Sequence, residues 1–153
     1  MTKFTILFTC ILLSACAATN PYIAPAPSQD NATIRGYKSG GVFNNFNVSR
    51  IMKIDDKDNA DAYDFTKEIS VMPGEHGFII ATVFNQSFWK NNNEAYSEVR
   101  AKLLPGHHYH IMEIVQNERV KIWVADQNGN TVSPVVSNPY KMVKDQTIVI
   151  FNR

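Results

Sequence analysis

Most of the chain consists of short stretches that are typical of β-strands. The clearest are Val48 to Ile54, Gly77 to Phe84 and Glu94 to Leu104, which alternate in polarity or are rich in β-branched and aromatic residues. The others are Ala32 to Tyr37, Phe65 to Met72, His108 to Val115, Val120 to Ala125 and Thr147 to Phe151. The one helical candidate after residue 16 is Asp58 to Phe65. The pattern predicts an all-β fold, and we expect a single antiparallel β-sandwich of about seven to eight strands.

Turn-forming residues separate the predicted strands. Pro73-Gly74 and Pro105-Gly106 each suit a type II turn, because proline presets φ at the second position and glycine accepts a positive φ at the third. Both pairs belong to a local repeat, apolar-apolar-Pro-Gly-x-His-x-x-Ile, which we interpret as the same corner used twice in one sandwich. The Asn128-Gly129 pair predicts a hairpin further along the chain.

The start of the chain has the layout of a signal peptide that ends at a cysteine. Lys3 precedes an apolar run, Phe4 to Leu13, which suits the core of a signal peptide and is too short to span a bilayer. The small residues Ser14 and Ala15 follow, as a cleavage site requires, and Cys16 comes next. The alternative is an ordinary secretory signal with a cysteine near the cleavage site by chance.

The segment Leu13-Ser14-Ala15-Cys16 closely resembles the lipobox of bacterial lipoproteins. This resemblance implies diacylation of the Cys16 sulfur with fatty acids such as palmitate, cleavage between Ala15 and Cys16, and acylation of the new amine. It also implies the outer membrane, because aspartate after the cysteine is associated with inner-membrane retention and Ala17 stands there. Two or more acyl chains anchor a protein stably. We expect a lipid-anchored protein that faces the periplasm.

The rest of the chain divides into a linker and one domain. Residues 16–31 are rich in Pro, Ala and Asn, so we expect a flexible, extended linker before a single β-sandwich domain at 32–153. Cys16 is the only cysteine after the signal peptide, so the domain must be stable without a disulfide. Basic and acidic residues nearly balance, with a net charge of +1 for the whole chain, which argues against nucleic acid as a partner.

The corner motifs provide a second resemblance. An apolar-x-Pro-Gly-x-His corner at Val71 to His76, a Pro-Gly-x-x-Tyr corner at Pro105 to Tyr109 and a hairpin at Ile122 to Gly129 are similar to those of small bacterial lipoproteins with one β-sandwich domain. The same corner occurs in carbohydrate-associated and carrier-type sandwich modules. The resemblance therefore implies a fold and no particular activity.

Histidines and carboxylates are the candidate metal ligands. His108 and His110 point to the same face of a predicted strand, and His76 could join them from the first corner. The simpler interpretation is polar residues on a solvent-facing strand and at a turn, so no metal or other cofactor is expected. The acidic segment Asp55 to Asp61 lacks the EF-hand pattern, and we interpret it as a solvated loop between strands.

Two aromatic segments are candidates for contact with a partner. Phe88 and Trp89 lie in an amide-rich stretch between two predicted strands, and we predict that they contact a protein or glycan partner. The alternative is that one of these rings folds back and caps the sandwich. Val42 to Phe46 is a similar segment, for which burial is favoured.

The residues show no catalytic constellation, since Gly-x-Ser-x-Gly, a free thiol and a glycine-rich phosphate loop are all missing. We therefore expect a non-enzymatic binding or scaffolding module that contacts another envelope component through the loops opposite its tether. One alternative is a subunit of a secretion machine, similar to the small sandwich lipoprotein of type VI systems. A second alternative is a metal-binding lipoprotein that uses the histidines.

Overall fold

The computed structural model describes residues 20–41, 45–85 and 91–143, and in these ranges the chain forms β-strands, turns and irregular connections. The eleven strands are β1 (Ala32–Arg35), β2 (Tyr37–Ser39), β3 (Asn47–Ile54), β4 (Lys57–Asp58), β5 (Ile69–Val71), β6 (Gly74–Phe84), β7 (Asn93–Leu103), β8 (His108–Gln116), β9 (Arg119–Asp126), β10 (Val136–Pro139) and β11 (Lys141–Met142). The predicted all-β class is confirmed. Within the described ranges, no helix has the length and hydropathy needed to cross a membrane.

The strands form two packed sheets. One has five strands in the order β10-β9-β8-β1-β5, and the other has β11-β7-β6-β3-β2, with β4 also paired to β3. Strands β1 and β8 are parallel, and every other strand pairing in the described residues is antiparallel. The main core lies between the sheets and includes Ile34, Ile51, Phe78, Ile80, Val99, Ile111 and Ile122. This arrangement confirms the predicted sandwich, but the described residues form eleven strands instead of seven to eight, and the β1–β8 pairing is parallel.

In the described residues the chain passes between the sheets at four short connections. Gly36 joins β1 to β2, Tyr140 joins β10 to β11, residues 72–73 join β5 to β6, and residues 104–107 join β7 to β8. Because Gly74 lies opposite Leu103 in the β6–β7 pairing, the last two connections lie at the same end of the sandwich. We call this the corner end, and we call the end at Phe84 and Gln116 the far end. The sequence repeat thus corresponds to two crossings between the sheets.

The two Pro-Gly corners differ in conformation. Gly106 has a φ of 69°, and the His107 N–H donates to the Leu104 carbonyl at 3.4 Å, as in a type II turn. Gly74 has a φ of 139° and already belongs to β6, so the type II turn predicted at Pro73-Gly74 is wrong. This corner has a side-chain contact instead, because His76 Nε2 lies 2.7 Å from the Met72 carbonyl oxygen.

Several elements were not predicted from the sequence. The segment Asp55 to Asp61, which we interpreted as a solvated loop, begins with a tight turn at Asp55 and Asp56 and continues into β4. The φ values of these two residues are 49° and 62°. A second turn of the same kind joins β8 to β9 at Asn117 and Glu118, with φ values of 52° and 59°. Two positive φ angles are the signature of a type I′ turn, which usually contains glycine, and these turns have none.

Other strand predictions need adjustment. The helical candidate Asp58 to Phe65 instead forms the end of β4 and a series of turns, and Phe65 to Met72 contributes only the three-residue strand β5. Strands β10 and β11 pair at sheet edges and had no clear alternation to reveal them. The strand predicted at Thr147 to Phe151 lies outside the described residues.

Replacing Gly36 with alanine tests the first crossing. An added Cβ would collide with the Ser49 carbonyl oxygen and would lie 2.9 Å from the Phe65 Cβ. Overpacking of this kind costs about 1–3 kcal/mol. We therefore expect Gly36→Ala to lower the free energy of unfolding by roughly that amount in urea titrations.

Gly77→Ala is the matched control, because its added methyl group meets no atom within 4 Å. It should remain within about 1 kcal/mol of the native chain. Equal stability of the two variants would contradict the close approach at Gly36.

Candidate functional site

The first candidate region is the attachment of the N-terminal segment to the domain. The Tyr22 N–H donates to the Asp58 carbonyl at 2.7 Å, and the Asp58 N–H donates to the Asn20 carbonyl at 2.8 Å. The Tyr22 hydroxyl donates to the Ser70 carbonyl at 3.1 Å. Asp58 belongs to the six-stranded sheet and Ser70 to the five-stranded sheet. Asn20–Tyr22, which we call the strap, therefore connects both sheets at one open side of the sandwich.

The strap changes the expectation of a flexible linker. Tyr22 packs against the main core, and further along the segment the Asn31 side chain donates to the Ala26 carbonyl at 2.7 Å. The Asn31 carbonyl accepts from the Gly106 N–H at 3.1 Å. Asn20, Tyr22 and Asn31 thus attach this segment to the domain, although residues between them such as Ile23 are exposed. The lipobox residues Leu13 to Cys16 lie outside the described residues.

His76 is one centre of a hydrogen-bond network at the corner end. Its Nδ1 lies 2.7 Å from Asp55 Oδ2, and its Nε2 lies 2.7 Å from the Met72 carbonyl oxygen. Because both partners can only accept, the two bonds form together when the ring carries a proton on each nitrogen. The other Asp55 oxygen accepts from the Gly77 N–H at 2.9 Å. The network connects the β3–β4 turn to the first corner.

The pKa of Asp55 reflects this network. Partial burial raises the pKa, but the hydrogen bonds from Gly77 and His76 and the charges of His76 and Lys57 outweigh it, so the pKa lies below its usual value. Asp55 is therefore an ionised acceptor at neutral pH. This role is structural, because the carboxylate holds the start of β6 in place.

The three candidate metal ligands do not come together. His108 Nδ1 lies 2.8 Å from Thr33 Oγ1 and 3.3 Å from Glu68 Oε2, and His110 follows on the same strand of the five-stranded sheet. His76 belongs to the other sheet and has its own partners, so it does not join His108 and His110 as it could have done had the strands been neighbours. Over the described ranges, no three His, Cys, Asp or Glu side chains are close enough to share a metal ion.

His110 has a perturbed pKa. Partial burial lowers the pKa, the positive charge of Arg35 lowers it further, and the charge of Asp126 acts in the opposite direction. The net shift is downward, which favours the neutral imidazole. His110 is therefore a neutral, partly covered side chain on the outer face of its sheet.

A hollow of about 620 Å³ opens at the corner end beside Asp55 and His76. Its lining is dominated by side chains that carry charge or can carry it: Asp55, Asp56, Glu75, His76, Glu98, Arg100 and Lys102. Sites for small molecules are mostly apolar with a few convergent polar groups. The lining of this hollow differs from that pattern, so we assign no ligand to it.

A buried polar layer crosses the interior of the sandwich. Its members are Ser49 on β3, Thr82 on β6, Ser97 on β7 and Glu113 on β8, all buried. Their chain neighbours on the same inner face belong to apolar clusters on either side, the main core towards the corner end and a smaller cluster of Phe84, Ala95 and Val120 towards the far end. The layer therefore separates two apolar regions inside one domain.

Glu113 is the acidic centre of this layer. Glu113 is 5% exposed, and its Oε2 accepts a hydrogen bond from Ser49. Ser49 Oγ is also 2.8 Å from Thr82 Oγ1. Oε1 is buried without a hydrogen-bond partner among the described residues. Burial raises the pKa of Glu113, and the polar side chains of Ser49, Asn47 and Thr82 oppose the rise without cancelling it.

Glu113 was not predicted as a site residue, although the sequence contains a signal for it. Tyr109, Ile111 and Glu113 alternate along β8, and the first two are core residues, which puts a carboxyl group on the inward side. An acidic residue at an inward position of a predicted strand is rare unless it has partners. Those partners come from the other sheet, so the strand pattern did not reveal them.

The predicted partner residues Phe88 and Trp89 lie outside the described residues, as does most of the aromatic segment 42–46. The strand ends that flank residues 86–90 are Phe84 and Asn93, which pair at the far end. There the Phe84 ring packs edge-on against Tyr140, with centroids 4.9 Å apart. The far end thus has an ordered aromatic base.

Comparison of the chain with protein-family models, curated proteins and solved structures gives no significant match. The function of this chain is therefore inferred from its own residues and contacts.

Glu113→Gln tests the energetic effect of the buried carboxyl group. A carboxyl group whose pKa is raised by folding stabilises the protein only while it is protonated, so this contribution is lost as pH rises through the folded-state pKa. The amide stays neutral at every pH. We expect Glu113→Gln to melt at a higher temperature than the native chain at pH 8, with the difference shrinking as pH falls towards about 4.

The measurement is thermal unfolding followed by circular dichroism between pH 4 and pH 8. Glu98→Gln is the control, because Glu98 lies on the exposed face of β7 and should show no such pH dependence. A difference in melting temperature between Glu113→Gln and the native chain that stays constant over this range would contradict the raised pKa of Glu113.

Proposed function

We propose that the chain is a lipid-anchored envelope protein whose sandwich binds or scaffolds another envelope component without catalysing a reaction. The lipobox-like Leu13 to Cys16 supports the anchor. The observation that carries the proposal is the strap, because it determines which part of the domain an anchor at Cys16 would hold near the membrane.

The length of chain between Cys16 and the strap is short. Ala17 to Thr19 are the only residues between Cys16 and Asn20. A fully extended chain spans at most about 3.6 Å per residue, so the Cα atoms of Cys16 and Asn20 are separated by at most about 14 Å. The originally expected linker of 16 residues would have allowed a much greater distance. The domain would therefore stand close to the bilayer.

The strap also gives the proposed anchor a direction. Asp58 pairs with Lys53 near the end of β3 that faces the corner end, and Lys53 lies opposite Ile79 on β6. The far end lies in the other direction, five residues along β6 from Ile79 to Phe84, which is about 17 Å at ~3.3 Å per residue. Under this proposal the far end and the sheet faces are available to a partner in the periplasm, and Phe88 and Trp89 stay the predicted contact residues at that end.

The outer membrane is the proposed location, and a protein or glycan of the envelope is the proposed partner. A role as a secretion-machine subunit is a form of the same proposal, because it also needs an anchored sandwich with an accessible end. The metal-binding alternative has lost its main support, since His76 lies apart from His108 and His110.

Replacing Cys16 with serine tests the anchor. A serine hydroxyl does not replace the thiol as the acylated group, so we expect Cys16→Ser to accumulate as an uncleaved precursor that incorporates no labelled palmitate. Mass spectrometry and membrane fractionation would measure both effects. Cys10→Ser is the matched control, because Cys10 lies inside the apolar run and should be dispensable. A Cys16→Ser chain of mature mass in the outer membrane would contradict the proposal.

A further inference from the structure

Two cations and three aromatic rings share the outer face of the six-stranded sheet. The Arg50 guanidinium lies over the Tyr63 ring, 4.9 Å from its centroid, and the Lys38 ammonium lies 5.5 Å from the Phe65 centroid. Tyr96 is two strands away from Arg50, with Ala81 between them in the register. We call Lys38, Arg50, Tyr63, Phe65 and Tyr96 the basic–aromatic stripe.

The stripe is exposed, and its residue types are typical of binding surfaces. Tyr63 is 76% exposed and Tyr96 is 56% exposed, whereas Ala81 beneath them is buried. Tyrosine and arginine are enriched among residues that dominate binding energies. The hydrogen bond with Glu94 and partial burial raise the pKa of Tyr96, and the charge of Arg50 opposes the rise. Because Arg50 and Tyr96 flank Ala81 in the strand register, one extended ligand can contact both.

Neither cation has a carboxylate partner within the part of the chain that the structure describes. The nearby acidic groups have other partners. Asp61 pairs with Lys67 at 2.7 Å, and Glu94 accepts from the Tyr96 hydroxyl at 2.9 Å. Asp64 accepts from the Thr66 hydroxyl at 2.7 Å. Arg50 also has a buried Nε without a hydrogen-bond acceptor in those ranges. The two cations are thus paired only with aromatic rings.

The spacing of the two cations indicates the shape of the anion that would fit. Lys38 lies opposite Val48 in the β2–β3 pairing, and Arg50 is two residues further along β3 on the same face. The Cα atoms of such diagonal neighbours are about 7–8 Å apart. The Cα atoms of alternate residues in an extended peptide are about 6.6 Å apart. Two carboxylates at positions i and i+2 of a strand would therefore match the two cations.

We propose that the basic–aromatic stripe binds an extended acidic peptide segment of a partner protein, with alternate carboxylates on Lys38 and Arg50 and the intervening apolar atoms on the tyrosine rings. This inference names the partner class for the proposed binding function and depends on that function, but it does not depend on lipidation. Arg50 lies in the half of β3 nearest the far end, and Lys38 pairs with Val48 in the same half. The stripe would therefore remain accessible on an anchored domain.

The test measures fluorescence anisotropy of a fluorescein-labelled Glu-Thr-Glu-Thr-Glu peptide titrated with the full chain in a neutral detergent. We expect saturable binding that weakens when salt is raised from 50 to 500 mM, because exposed ion pairs are screened. The double variant Lys38→Gln with Arg50→Gln should bind roughly three- to thirtyfold more weakly. The matching Gln-Thr-Gln-Thr-Gln peptide should bind as weakly as the double variant does.

Arg100→Gln is the matched control on the same sheet face, because Arg100 is exposed and already paired with Glu98. It should bind the acidic peptide within twofold of the native chain. Thermal unfolding of each variant establishes that a loss of binding is not a loss of folding, and Lys38→Gln alone provides a second test at an exposed position.

Three outcomes would overturn the inference. The first is no binding of the acidic peptide by a folded native chain, and the second is equal weakening by Arg100→Gln. The third is tight, stripe-dependent binding of a polyuronate oligosaccharide with none of the peptide, which would assign the surface to an acidic glycan instead. Failure of Cys16 lipidation affects none of these measurements, so the two proposals fail separately.

Discussion

Two backbone hydrogen bonds at Asp58 determine how this sandwich can be presented at a membrane. They attach Asn20 and Tyr22 to the edge of the six-stranded sheet, and the Tyr22 hydroxyl reaches the other sheet at Ser70. A segment whose composition suggests a free spacer thereby becomes part of the domain. With only three residues between Cys16 and Asn20, a lipid anchor would orient the domain as well as attach it.

The interior of the domain has an unusual division that follows from the same two-sheet geometry. Apolar side chains fill both ends, and Ser49, Thr82, Ser97 and Glu113 form the layer between them. A carboxyl group this deeply buried costs stability when it ionises. The layer nevertheless gives the sheets a specific alignment, because the Ser49 contact with Glu113 needs β3 and β8 in one particular offset.

The sequence was most informative where a pattern is local. Strand alternation located β3, β6, β7, β8 and β9, and the Pro105-Gly106 pair has the predicted turn geometry. At Pro73-Gly74 the turn differed because His76, which also contacts Asp55 from another hairpin, approaches Met72. Local turn chemistry cannot include the contact with Asp55, which lies 21 residues away in the chain. The short strands β4, β10 and β11 have too few residues for a period to be recognised.

The candidate sites were harder to predict for a related reason. The histidine hypothesis depended on which strands are neighbours, and the sheet order separates His76 from His108 and His110. The basic–aromatic stripe combines residues from β2, β3, β7 and the turns between β4 and β5, so no single stretch of sequence contains it. The strap was hidden because proline-rich composition does not reveal that a backbone will pair with a sheet edge.

The orientation imposed by the strap can be measured directly on the mature chain in vesicles. Lys57→Cys places a label beside the strap at the corner end, and Gln116→Cys places one at the far end. Once Cys16 is acylated, the introduced thiol is the only free one. With a quencher on the lipid headgroups, the account predicts strong quenching of the label at residue 57 and little at residue 116. Equal quenching at both sites, or stronger quenching at residue 116, would contradict it.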